Sequence, residues 1–261
     1  MGLDWIDSVG RYALRFAAGI GSTAVAVGAV GAATLSPRTW RTPLARRALA
    51  RQIVSIGAEG LPLTAAAALL TGVLVVVQAD VWLRRVGQTQ LFGPLMAIVV
   101  IREVGPLLIN LIAIARSGGA MVVEVGNMSL AGEVAVLDAL GIHRFGFLVV
   151  PRAAAMGVSI LCLTFVFVCV SLASGFVVGA GLGYIPGRPA GFLFDVLDAV
   201  APVDVVNLLI KSVAPGLITA TVCCAHALTA SSAPGGLSRA AALAVQRSVL
   251  ALFVVSATVS A

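Results

Sequence analysis

Apolar residues in this chain run in long blocks separated by short polar joints. Five blocks are strong: Leu61–Leu83, Leu91–Met128, Ala153–Gly181, Val205–Ala230 and Ala240–Ala261. About 20 apolar residues, each rising 1.5 Å, cross a hydrocarbon core of about 30 Å as one helix. Four blocks fit one crossing each, and Leu91–Met128 is too long for one straight crossing. Tyr12–Leu35 is apolar but rich in Gly and Ala, so it reads as an interfacial or a weak spanning helix. A cleaved signal is disfavoured there, because positive charge mainly follows the apolar run.

Charge placement decides how often the second block crosses. Arg38, Arg41, Arg46, Arg47 and Arg51 precede the first strong block, and basic segments stay cytoplasmic. One crossing puts His143, Arg144, Arg152 and Arg239 on that same side and the loop bearing Asp195 and Asp198 on the other. Two crossings would reverse all of these placements. Arg84 and Arg85 fall on the far side in the one-crossing arrangement, a minor cost. The chain is therefore expected to make five crossings, the second of them broken or strongly tilted.

Composition supports the same solvent. The chain is 60% hydrophobic and 11% charged, with mean hydropathy +1.07, against about 25% charged residues in soluble domains. A net charge of +6 would suggest nucleic acid in a soluble protein. Here the arginines lie at block ends, where they orient segments and meet lipid headgroups, so no nucleic-acid partner is expected. Cys162, Cys169, Cys223 and Cys224 sit inside apolar runs and read as small hydrophobes, without disulfide or metal-site spacing.

Several charges lie within or beside the blocks: Arg102, Glu103, Arg116, Glu124, Asp204 and Lys211, the last being the one lysine. An ionised group at the bilayer centre costs roughly 2.5–3.5 kcal/mol, so such groups pair internally or face a wet cavity. Glu103 and Lys211 are candidates for lining a cavity; Arg102 and Arg116 read equally as helix–helix pairs. Gly105-Pro106 predicts a break, because proline lacks a donor and clashes with the preceding turn. Asp204 and Lys211 are seven positions apart on one face, with Asn207 between them. Ser117, Gly118, Gly119 and Ala120 suit close helix packing.

The joint Met128–Arg152 holds a short amphipathic pattern of Glu133, Val134, Leu137, Asp138 and Leu140 that ends at Gly141. On the cytoplasmic face it suits a partner's groove or a connector lying on the bilayer. No phosphate-binding G-x-x-x-x-G-K-[ST] motif is present, so this chain does not hydrolyse ATP by that route. His143 and His226 lack metal-site spacing, and neither metal nor cofactor is expected. His226 reads as a polar residue satisfied within the bundle. A lipid-modifying enzyme would need clustered catalytic groups, and a secondary transporter commonly shows an inverted repeat; the sequence shows neither.

The stretch "REVGPLLINLIAIARSGGAMVVEVGNM" resembles the signature segment of MlaE/YrbE-type permeases. "LDALGI", "VVPR", "DVVNLLIKS" and "GLSRAAALAVQRSVLALFVVSA" follow in the family's order, so the resemblance runs from about Leu44 to Ala261. It implies an all-α membrane fold with an N-terminal interfacial helix, five transmembrane helices and a short cytoplasmic coupling helix. Residues 1–52 would form the interfacial or cytoplasmic segment and 53–261 the permease domain.

The resemblance also implies a role: the transmembrane subunit of an ABC transporter moving phospholipids or related lipids across the bacterial envelope, in the inner membrane. The implied partners are a separate cytoplasmic ATPase, a periplasmic MCE-domain protein and a second permease copy or paralogue. By position, Glu103 and Lys211 line the family's lipid cavity, with Arg102 and Asp204 nearby. The coupling helix falls at about Ala131–Leu140. There Gly132-Glu133 stands where the family commonly has an acidic residue followed by Gln or Glu, and Asp138 replaces a usual Glu; a glycine inside a helix costs about 1 kcal/mol relative to alanine.

Overall fold

A computed structural model describes residues 27–34, 43–86, 95–141, 145–181, 189–230 and 235–260. Arg38, Arg41, His143, Arg144 and most of Tyr12–Leu35 lie outside these ranges; residues 27–34 are helical. Every regular element among the described residues is a helix. They are α1 (Pro43–Ile53), α2 (Leu61–Val86), α3 (Gly105–Ala113), α4 (Gly119–Leu130), α5 (Glu133–Ala139), α6 (Val150–Gly181), α7 (Pro189–Asp198), α8 (Pro202–Leu228) and α9 (Gly236–Ser260). Short π-helical stretches lead out of α1 (Val54–Ala58), into α3 (Ala97–Val104), between α3 and α4 (Ile114–Gly118) and into α6 (Phe145–Val149).

Among the described residues, five helical runs are long and apolar enough to cross a membrane: Arg46–Ala79, Ile98–Leu130, Phe145–Gly181, Pro202–Leu228 and Gly236–Ser260. Contacts along the bundle fix their directions. Gly57 faces Ser159, Gly60 faces Leu163 and Gly72 faces Ser171 and Ser174. The two numbers rise together, so the first and third runs are parallel. Glu103 meets Ser260 while Gly126 meets Leu237, so the second run is antiparallel to the fifth. Lys211 meets Ser260 while His226 meets Arg247, which makes α8 and α9 antiparallel. A parallel first and third run require the second to cross once.

The expected break at Gly105-Pro106 is not a break. Helix continues through Ile98–Leu130, because the wider π-helical turn absorbs the proline: the Gly105 N–H reaches back five residues to the Val100 carbonyl. The length excess is thus one long helix with two widened stretches. The division proposed at 52/53 falls in the last turn of α1.

α2 and α6 approach closely at Gly72. A β-carbon on Gly72 would collide with the Ser171 carbonyl and the Ser174 hydroxyl. Small residues at such a contact let helices approach, since lipid supplies no hydrophobic drive between them. In the expected small-residue stretch, Gly118 packs on Thr219 and Cys223, whereas Gly119 faces open space.

α5 is joined to α4 by Gly132 at φ 82, the left-handed region. Gly132 therefore stands just before the helix and does not weaken its interior, which corrects the penalty expected from sequence. Nothing lies within 4 Å of where its β-carbon would be. Gly132→Ala is expected to cost about 1–2 kcal/mol through backbone strain alone, read as a lower unfolding temperature of the purified protein. Gly141, at φ 71, ends the segment as expected, its N–H on the Asp138 carbonyl at 3.1 Å.

Candidate functional site

Two prolines prepare the polar cluster on the side of the bundle away from α5. Pro106 cannot donate to the Arg102 carbonyl four residues back, and Pro215, inside α8, cannot donate to the Lys211 carbonyl. Each freed carbonyl is satisfied from the facing helix. Lys211 Nζ donates to Arg102 O at 3.1 Å, and Asn110 Nδ2 donates to Lys211 O at 3.0 Å. Asn110 Nδ2 also reaches Pro106 O at 2.8 Å. Unpaired backbone groups are costly in a membrane, so these exchanges tie α3 to α8.

The charges assemble on this joint. Lys211 Nζ lies 2.8 Å from Glu103 Oε1 and 2.6 Å from Ser260 Oγ. That hydroxyl is also within reach of Glu103 Oε1, at 3.1 Å. The Lys211 side chain is 3% exposed and that of Glu103 42%. Arg102 Nε sits 3.7 Å from Asp204 Oδ1, with side chains 41% and 18% exposed. Asp204 also accepts the Ala201 N–H at 3.1 Å, closing the first turn of α8.

All four residues singled out in the sequence therefore meet in one place, with unequal access. Glu103 and Arg102 present opposite charges outward. Lys211 holds Glu103 from beneath and Asp204 holds Arg102. Ser260 was not foreseen, since one hydroxyl at the end of an apolar block carries no pattern.

The remaining charges form separate pairs. Arg116 donates to Glu59 Oε2 at 2.7 Å. Arg152, its side chain 10% exposed, donates to Glu124 Oε1 at 2.7 Å and to Leu148 O at 3.0 Å. Neither partner was anticipated: Glu59 lies in the turn before α2, and Arg152 had been read as an orientation signal at a block end. His226 accepts from Arg247 at 3.1 Å. The four cysteines are free thiols.

On α5, the proposed contact residues divide by face. Val134 is buried and Leu137 partly so, while Glu133, Asp138 and Leu140 are exposed. Val136, not singled out before, joins Glu133 and Leu140 on the outward face at helical spacing and is well exposed.

The fold defines a multi-pass all-α membrane protein, and among the described residues four charges from its spans gather in a half-exposed polar cluster. Residues 49–261 match the family described as Permease MlaE, and the chain belongs to that family. It is similar to a probable ABC transporter permease protein of Synechocystis, 29% identical over 80% of this chain and 79% of that protein. A probable ABC transporter permease protein of Rickettsia conorii is 23% identical over 95% of this chain and 93% of its own length. The intermembrane phospholipid transport system permease protein MlaE of Haemophilus influenzae is 25% identical over 63% of each chain.

Proposed function

We propose that this chain is the non-catalytic permease subunit of an ABC transporter that moves phospholipids or related lipids, seated in the bacterial cytoplasmic membrane. The observation that carries this reading is the half-exposed Glu103–Arg102 pair. It is held within the spans by Lys211, Asp204 and Ser260, in a chain whose relatives are named as permeases of ABC and phospholipid transport systems. Arg102 offers a guanidinium to headgroup oxygens, and Glu103 accepts from a headgroup ammonium or hydroxyl. The apolar walls of the spans receive acyl chains. Two permease copies, or this chain and a paralogue, enclose the path, and an MCE-domain protein continues it on the far side.

In this reading a separate ATPase docks on α5. Its outward stripe of Glu133, Val136 and Leu140 enters a groove on that partner, and movement of α5 passes through α4 to the long second run. Glu133→Lys, and more so Val136→Asp, are expected to reduce recovery of the ATPase with the tagged chain while the chain still reaches the membrane. Undiminished recovery with both variants refutes the docking face. Affinity purification of the tagged wild-type chain, with mass spectrometry of bound proteins and lipids, tests the whole reading. An ATPase, an MCE-domain protein and phospholipid are expected; a chain that moves lipid with no ATPase bound overturns it.

A further inference from the structure

We infer that α7 is a membrane-surface helix that lies in the outer leaflet and rests on phospholipid acyl chains. This rests on the five-crossing arrangement and not on the transport reading. α7 links the end of α6 to the start of α8, on the side opposite α5.

Its ten residues divide into three sectors at 100° per residue. Phe192 and Val196 are buried against the bundle. Leu193, Phe194 and Leu197 form the next sector and stay exposed, Phe194 at 66% and Leu197 at 57%. Asp195 and Asp198 occupy the third, and both are exposed. A helix lying on a soluble face would be apolar only where it touches the bundle; here the apolar arc extends well past that contact.

Three observations favour lipid as the occupant of the free sector. Phe192 packs against Phe176, the two rings tilted and their centroids 5.6 Å apart. Phe176 lies five residues before the end of α6, which is about 7 Å along the axis, so α7 runs beside the helix end and not across its top. Val203, Val205 and Val206 at the start of α8, which follows α7 directly, are exposed apolar residues too, as are Leu209 and Ile210 further along that span. Finally, the polar sector is acidic, so it turns to water and gains nothing from anionic headgroups. The attachment is apolar and independent of lipid charge.

The test is photo-crosslinking of the full chain in intact bacterial membranes, with a diazirine amino acid placed singly at Phe194, Leu197, Asp195 or Asp198. Phospholipid adducts are expected at Phe194 and Leu197, with several-fold weaker lipid labelling at the two aspartate positions. In reconstituted vesicles, the pattern should be the same in phosphatidylcholine alone and with added phosphatidylglycerol. Protein adducts as the main product at Phe194 and Leu197 would assign the face to a protein partner and overturn the proposal. Equal labelling at all four positions, or labelling only with phosphatidylglycerol, would also overturn it.

Discussion

Glu103→Ala is expected to lower both stability and transport. It leaves the Lys211 ammonium almost wholly buried, with only the Arg102 carbonyl and the Ser260 hydroxyl as acceptors. Removing one partner of a buried pair costs about 3–5 kcal/mol, and the two neutral acceptors put this case near the lower end. Lys211→Met should cost less, because the stranded carboxylate is half-exposed and water partly compensates. The double variant Glu103→Gln/Lys211→Met removes both charges and should lose less than Glu103→Ala, the remaining cost being the Arg102 carbonyl that position 211 no longer reaches. Thermal unfolding of the four proteins in one detergent checks the order. A double variant as unstable as Glu103→Ala would show that the pair is not what holds this joint.

Asn110→Leu is the second large effect. It strands the Lys211 carbonyl that Pro215 has already deprived of its helical donor. A buried acceptor left unpaired costs about 1–3 kcal/mol. Asn110 Oδ1 is itself without a partner among the described residues, so its removal offsets part of that. Pro215→Ala restores an N–H at position 215 that can donate to Lys211 O within α8. Asn110→Leu should then be nearly neutral in the Pro215→Ala background. The same loss in both backgrounds would mean that Asn110 acts through packing and not through that carbonyl.

Much of the fold could be read because bilayer thickness acts on segments and not on single residues. Block length and arginine placement led to five crossings, with Leu91–Met128 crossing once. The parallel contacts Gly57–Ser159 and Gly72–Ser174 require the same count. What failed was local. Pro106 reads as a helix breaker by its own chemistry, but a π-helical turn and a lysine on another helix accommodate it. Gly132 reads as a weak helical residue because sequence does not show on which side of a helix start it stands.

The candidate site was legible by charge and illegible by access. Glu103, Lys211, Arg102 and Asp204 all draw attention in apolar surroundings, and they do assemble. That Lys211 is beneath and Glu103 outward depends on how α3, α8 and α9 rotate about their axes, which a nearly all-apolar pattern does not encode. The pairings Arg116–Glu59 and Arg152–Glu124 join residues 57 and 28 positions apart, across helices whose order in the bundle no single-block pattern reveals.

The most direct test of the central claim, that the Glu103–Arg102 site handles lipid headgroups in an ATP-driven permease, is ATP-dependent phospholipid transfer by the reconstituted transporter. Wild type should be compared with Glu103→Gln/Lys211→Met. The double variant is predicted to assemble, stay more stable than Glu103→Ala and hydrolyse ATP through its partner, yet transfer little lipid. Transfer at the wild-type rate by that variant would contradict the account and leave the charged cluster as a structural staple alone.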